Sequence, residues 1–218
     1  GEGVRLREQA ALPDSTPILV LSEQPEAELD VLVQHRLDAT VYTVEQVTAL
    51  AAAARRGTVG AVSVHVKVDT GMGRVGVAPA DVAALCDAID ADDVLEPAGV
   101  MSHLAVADEP DHPGTDQQLE IFADVVDDVQ ARGGAWSHAA VHVANSAAGL
   151  TRPSARRDLV RVGIALYGIS PSPAVPAAAS GLRPVLSWVS KVSFVKRVAA
   201  GTPVSYGWTH ICEAATTL

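Results

Sequence analysis

Short apolar segments alternate with amphipathic helical segments along most of this sequence, and this alternation limits the folds that it can adopt. Strands are predicted near residues 17–22, 39–43, 61–70, 97–103, 140–145 and 159–170. The connections between them are mostly helical, and parallel strands need such long crossovers. The pattern therefore predicts an α/β fold with one parallel sheet, either a (β/α)8 barrel or a doubly wound sheet.

The pattern changes after residue 175. A segment rich in proline, serine and alanine precedes two strand-like runs that have no helix between them. We therefore expect a barrel-type domain over residues 1–175, and a linker with the start of a β-rich domain over 176–218. Both ends of the chain interrupt a predicted element, so a fragment is expected, with about six of the eight βα units of a complete barrel.

Composition excludes several classes of function. Apolar residues make up 48% of the chain and charged residues 19%, so a large core is expected. The net charge of -10 argues against nucleic acid as a partner, and no apolar run is long enough to span a membrane. Cys86 and Cys212 form no metal-binding pattern and are expected to be free thiols in the cytoplasm. The acidic loop at 108–116 is expected to be solvated rather than to bind a metal.

Distinctive polar residues follow the predicted strands. Asp69, His103 and Asn145 stand at strand ends, and Arg161 lies in the last predicted strand just before Gly163. Barrels and doubly wound sheets both place active sites at the carboxyl ends of their strands. No G-x-G-x-x-G motif follows the first strand, which disfavours a dinucleotide. We therefore expect a small-molecule site at this edge, with backbone N–H groups near 145–146 and 163–164 available for a phosphate.

The segment "HVKVDTGMGRVGV" at 65–77 directs several charged groups into a glycine-rich corner. Lys67 and Asp69 share one face of the strand, and Arg74 follows between glycines. A fixed guanidinium can bind a carboxylate or phosphate through two hydrogen bonds. Lys67 could instead form a buried ion pair with Asp69, and the residues alone leave both interpretations open.

Five motifs, taken together, resemble the alanine racemases, which are fold-type III pyridoxal-phosphate enzymes. In chain order they are "KVDTGMGRVGV", "GVMSHLAVADE", "VHVANSAAGL", "VRVGIALYGISPSP" and "VSYGWT". The resemblance covers essentially the whole chain, and "DTGMGRVG" and "RVGIALYG" are its most specific parts. It implies a (β/α)8 barrel that binds pyridoxal phosphate, followed by a β domain that reaches the partner subunit's active site in a homodimer. The implied activity is interconversion of L- and D-alanine, which supplies D-alanine for peptidoglycan.

The resemblance also implies a role for each matching residue. The implied cofactor-binding residues are Arg161, Asn145, Ser146, Gly163, Ile164 and His103. Arg161 would face the pyridine nitrogen, and an arginine there disfavours protonation of that nitrogen. The implied catalytic residues are Tyr206, Arg74, His103 and Lys67. Tyr206 would be the base for one enantiomer, Arg74 would orient Tyr206 and the substrate carboxylate, and Lys67 would be carbamylated or be replaced in that role by a bound anion such as chloride.

The chain also departs from the family pattern. The Schiff-base lysine of these enzymes lies in an "AVVKANAYGHG"-like motif, and none of Lys67, Lys191 and Lys196 has that context. The 218 residues alone are therefore expected to be inactive. Alternatives are a racemase for another amino acid such as serine or lysine, and a non-enzymatic pyridoxal-phosphate homeostasis protein, which Tyr206 and the β-rich tail disfavour. A related decarboxylase is less favoured, because its glycine-rich phosphate motif and cysteine are not found.

Overall fold

A parallel four-stranded sheet lies at the centre of the larger of two units. The computed structural model describes residues 1–10, 12–57, 60–175 and 181–218, and divides into Gly1–Pro184 and Val185–Leu218. The strands of the first unit are β1 (Ala39–Val41), β2 (Val62–Lys67), β3 (Leu95–Met101) and β4 (Ala140–His142). They pair in the order β1-β2-β3-β4, and every pair is parallel. The predicted parallel α/β fold is confirmed, and this sequential order is that of a barrel wall rather than of a doubly wound sheet.

Helices connect the strands as the periodicity predicts. They are α1 (Glu2–Glu8), α2 (Glu26–Gln34), α3 (Val44–Arg56), α4 (Val82–Asp90), α5 (Gly114–Gln130) and α6 (Ser146–Thr151). At the start of α3, the Thr43 side chain accepts the backbone N–H of Gln46 and so caps the helix. The apolar face of α3 is buried, with Val47 and Leu50 in the core. None of the described helices has the length and hydropathy needed to cross a membrane.

Both faces of the central strand β2 are covered. Val64 and Val66 are fully buried in the apolar core that the helices share with the sheet. His65 and Lys67 point to the opposite face because side chains alternate along a strand, and they are buried as well. Polar groups on this second face must therefore find partners within the fold.

Two of the six predicted strands differ from the structure. Near residues 17–22 only Leu19 pairs with the sheet, as a single parallel bridge to Asp38. The predicted strand at 159–170 is wrong: the N–H of Arg161 donates to the Ala144 carbonyl, but a short 3-10 helix follows at Ile164–Tyr167. The extended pairing stops because the N–H of Gly163 donates to the Ser146 side chain instead of to a strand carbonyl.

The second unit contains only short antiparallel pairs. Strand β5 (Arg197–Val198) pairs with β8 (Thr216–Thr217), and β6 (Pro203–Val204) pairs with β7 (His210–Ile211). The first of the two predicted strand-like runs, residues 185–198, therefore forms a strand only at its last two residues. The predicted domain boundary at 175/176 stays a prediction, because residues 176–180 of the linker lie outside the described residues.

Candidate functional site

The carboxyl ends of three neighbouring parallel strands bring the candidate residues to one edge of the sheet. Strand β2 ends at Lys67, β3 is followed by His103, and β4 is followed by Asn145. Parallel strands point the same way, so residues that follow them meet at the same edge. Side chains separated by many residues in sequence are therefore neighbours in space.

Arg161 connects the ends of β3 and β4. Its Nη1 lies 2.7 Å from Nδ1 of His142 and 3.0 Å from the carbonyl oxygen of that residue. Its Nη2 donates to the Ser102 carbonyl and lies 3.4 Å from Nδ1 of His103. Arg161 and His103 are therefore in contact, as expected if both serve one site.

The hydrogen-bond partners of the Arg161 guanidinium are uncharged. Every recorded partner of Arg161 in the described part of the chain is a carbonyl oxygen or an imidazole nitrogen. Burial lowers the pKa of Arg161 to about 10. Burial, with the charges of Arg161, Arg74 and Lys67, lowers the pKa of His103 to about 4. A part-buried cation without a carboxylate partner makes this edge suitable for an anionic ligand.

Lys67 does not pair with Asp69. Its Nζ donates to the Leu21 carbonyl at 3.0 Å. Burial lowers the pKa of Lys67, and the nearby charges of Arg74 and Arg161 lower it further, against the opposing effect of Asp69. The net effect of this environment is a pKa of Lys67 below the usual range of a lysine.

Asp69 instead organises the glycine-rich corner. Its Oδ1 accepts the backbone N–H groups of Gly71, Met72 and Gly73 at 3.0, 2.8 and 3.1 Å. Burial raises the pKa of Asp69, but these N–H groups hold it below its usual value. Gly76, at φ 139°, lies so close to the backbone of Asp69 that a Cβ at this position would be 2.6 Å from the Asp69 nitrogen. The exposed side chain of Arg74 therefore extends from a backbone held in one conformation.

A second cluster joins the start of α6 to the segment at 163–165. Asn145 caps α6, since its Oδ1 accepts the Ala148 N–H at 3.1 Å. The Ser146 Oγ accepts the Gly163 N–H at 2.9 Å and the Ala165 N–H at 3.4 Å. Ser146, Gly163 and the adjoining Ile164 are thus brought together, as the phosphate-site expectation requires.

Most of the candidate residues do not line the cavity that contains Arg161. Arg161 lines a cavity of about 750 Å3 together with His65 and His142, but Arg74, His103 and Asn145 are not among its lining residues. The convergence of these three with Arg161 in one cavity stays a prediction. Tyr206 lies in the second unit and is 98% exposed. No group of three or more possible metal ligands occurs among the described residues.

Sequence reasoning missed three residues that support the site. His65 shares the polar face of its strand with Lys67, and His142 stands two residues before Ala144 in a recognised motif. Gln118 donates to the His103 carbonyl at 3.0 Å and accepts the Ala105 N–H at 2.8 Å. Strand alternation could have signalled His65, but nothing local identifies Gln118.

Comparison with known proteins identifies what the chain is similar to. The family described as "Alanine racemase, N-terminal domain" matches residues 1–171. An alanine racemase from Frankia casuarinae is 46% identical over 173 residues, covering 77% of this chain and 44% of the relative. One from Chlorobaculum tepidum is 40% identical over 214 residues, covering 97% of this chain and 54% of the relative.

Solved structures agree with this likeness. The alanine racemase from Streptomyces coelicolor A3(2) superposes with a TM-score of 0.91 at 37% identity, over 99% of this chain and 57% of that one. The chain thus spans about half the length of the curated relatives that it matches.

Proposed function

The chain belongs to the alanine racemase N-terminal domain family, and from this premise we propose that the protein carrying it interconverts L- and D-alanine with pyridoxal phosphate. The observation that carries the proposal is the Arg161 guanidinium, part-buried at the strand ends among neutral acceptors and in contact with His103. The identity with alanine racemases over most of the chain supports the choice of reaction.

The residues present fit the cofactor by their chemistry. The Ser146 hydroxyl and the N–H groups of Gly163 and Ile164 would hold the phosphate, and Asn145 would lie beside the cofactor. These polar groups already cluster at the N-terminus of α6, and the positive charges of Lys67, Arg74 and Arg161 favour an anion. When bound, pyridoxal phosphate supplies the electron sink that makes the Cα proton of the amino acid removable.

Arg161 would limit the strength of that sink. A guanidinium is a donor that keeps its protons at neutral pH, so it can hydrogen-bond a ring nitrogen without protonating it. Its contacts to His142 and Ser102 hold it in place before any ligand binds. This arrangement favours proton exchange at Cα over side reactions such as transamination.

Racemisation needs a proton removed from one face of the substrate and returned on the other. Tyr206 is proposed as the base on one face, acting in the partner subunit of a homodimer. Arg74 is proposed to orient Tyr206 and the substrate carboxylate, with Lys67 near it either carbamylated or beside a bound anion. The second base is the Schiff-base lysine of the family motif, which none of the three lysines of this chain matches.

The proposed setting is the cytoplasm, where D-alanine would be supplied to peptidoglycan. The free thiols of Cys86 and Cys212 are compatible with a reducing compartment. Serine and lysine are the competing substrates that an activity assay must compare with alanine.

A chiral assay of D-alanine formation from L-alanine tests this function. The full-length protein that carries this chain should turn over L-alanine when pyridoxal phosphate is added, and should do so faster than L-serine or L-lysine. The isolated 218 residues should show no turnover under the same conditions. Absence of turnover by the full-length protein, or a preference for serine or lysine, would contradict the proposal.

A further inference from the structure

Two buried histidines extend the Arg161 network beyond the proposed site residues. Nδ1 of His65 lies 3.0 Å from Nε2 of His142, whose Nδ1 lies 2.7 Å from Nη1 of Arg161. The two rings meet edge to face, with their centroids 5.2 Å apart. The three side chains come from three different segments of the chain and form one continuous row.

Only one direction of hydrogen bonding fits this row. A guanidinium can only donate, so Nδ1 of His142 must accept and carries no proton. The proton of a neutral His142 is then on Nε2, and it is donated to Nδ1 of His65. Nδ1 of His65 therefore accepts, and the proton of a neutral His65 is on Nε2.

Protonation of either imidazole ring would disrupt this arrangement of donors and acceptors. If His65 carried protons on both nitrogens, its Nδ1–H would face the Nε2–H of His142, unless His142 turned its own N–H towards Arg161. Either case sets two donors against each other. Burial and the charge of Arg161 lower the pKa of His65 to about 4, and the same causes, with His65, lower that of His142 to about 3.

The sheet is built to accommodate the ring of His65. The pairing of β2 with β3 shifts at this point: Val64 is opposite Pro97 and His65 is opposite Gly99, so Ala98 is an extra residue. A Cβ on Gly99 would lie 2.1 Å from Nδ1 of His65. The irregular register and the glycine therefore leave the space that the imidazole occupies.

We propose that His65 is a positioning residue for Arg161: it accepts the Nε2–H of His142 and thereby holds the Nδ1 lone pair of His142 towards the guanidinium. A hydrogen bond at one end of an imidazole makes its other nitrogen a stronger acceptor. The guanidinium is thus held in one orientation by polarised neutral groups. This inference deepens the proposed function and rests on it, since the orientation matters for the cofactor ring nitrogen.

The first test reads the histidine rings directly. Nitrogen NMR of 15N-histidine-labelled full-length protein, with His142→Asn used for assignment, should show both rings neutral and protonated on Nε2 at pH 8. A proton on Nδ1 of either ring, or on both nitrogens of His65, would overturn the proposal. This readout needs neither substrate nor a substitution at His65.

Two variants of similar shape provide the second test. His65→Asn keeps an acceptor oxygen close to the position of Nδ1, whereas His65→Leu removes it. His65→Leu should weaken the hydrogen-bond shift of the His142 Nε2–H signal and lower kcat about tenfold with little change in KM for alanine, as expected for one buried hydrogen bond. His65→Asn should keep both within about twofold of the wild-type values.

The outcomes separate this inference from the proposed function. Equal His142 signals and equal kcat in the Asn and Leu variants would contradict the role of His65 while leaving racemisation intact. Gly99→Ala offers a third route if His65→Leu does not fold, because it displaces the ring and should give the same loss of the His142 signal. A wild-type protein without racemase activity would contradict the proposed function, and the NMR signals would still decide whether His65 polarises His142.

Discussion

The Ser146 side-chain oxygen lies 2.9 Å from the backbone nitrogen of Gly163 and accepts its hydrogen bond. This contact joins the first turn of α6 to the segment that follows Arg161. It ends the extended pairing along β4 and gathers the groups proposed to bind phosphate. One hydroxyl therefore serves both the local fold and the proposed cofactor site.

Ser146→Ala should weaken both the local fold and the binding of the cofactor. The N–H of Gly163 loses its acceptor in a part-buried hydrogen bond, so the free energy of unfolding should fall by about 1 kcal/mol. Pyridoxal-phosphate affinity should fall about tenfold with the loss of one donor to the phosphate. Urea unfolding and an absorbance titration measure the two effects. Ser137→Ala, at an exposed serine, is the control; the hypothesis is wrong if the two variants behave alike.

Gln118 on α5 links the two loops that carry His103 and Arg74. Besides its bonds to the His103 carbonyl and the Ala105 N–H, its Nε2 donates to Thr70 Oγ1 at 3.3 Å. The Gln118 side chain is 4% exposed, Thr70 is buried as well, and the bonds to His103 and Ala105 are part-buried. The His103 loop and the glycine-rich corner are therefore held together by one amide.

Gln118→Leu should destabilise the chain and loosen the site. Thr70 keeps its hydrogen bond to Ser102 at 2.7 Å, so the loss falls on the part-buried His103 carbonyl and Ala105 N–H, and should cost about 1–2 kcal/mol of unfolding free energy. Hydrogen exchange should speed up at Ala105 and in the corner after Asp69, which reads the local effect. Gln117→Leu, at the exposed neighbouring position, should change neither quantity by much. Equal effects of the two substitutions would argue against a linking role.

Two buried histidines and the part-buried His103 predict an acid-sensitive stability. The folded pKa values of His65 and His103 are about 4, and that of His142 is about 3, all below the ordinary value of 6.5. Above pH 6.5 these groups are neutral in both states and contribute no pH dependence. As the pH falls from 6.5 towards 4, the unfolded chain binds protons that the folded chain does not bind. The free energy of unfolding therefore falls.

Urea unfolding between pH 7 and pH 4.5 measures this slope. His65→Asn removes one such group and should make the loss of stability with acid less steep. His138→Asn removes an exposed histidine and serves as the matched control. The interpretation fails if the His65→Asn slope equals that of the wild type.

Tyr206→Phe tests the proposal that Tyr206 is the base on one face of the substrate. In the full-length protein it should lower the rate of racemisation at least ~100-fold, because a positioned acid–base group contributes at least that much. Loss of the substrate α-deuterium from one enantiomer should be affected more than from the other. Tyr42→Phe, which removes a hydroxyl in the first unit, should keep the activity. Retention of full activity by Tyr206→Phe would exclude it as the base.

The local pattern of the sequence was enough to predict much of the fold. Alternating apolar segments and helical connections predicted the parallel α/β sheet. This succeeds because the periodicity of strands and helices depends on neighbouring residues. The strand predicted at 159–170 was wrong, because an apolar run does not show that the Gly163 N–H will donate its hydrogen bond to the Ser146 side chain.

The sequence by itself determined the family, through its ordered motifs, and placed Arg161 and His103 among the site residues. Only the tertiary structure decided that these two touch, and that His65 lies against His142, 77 residues away. The reason is physical: a side-chain pair depends on strand register, on the extra residue at Ala98 and on the space left by Gly99. These are set by packing over the whole sheet rather than by any local pattern.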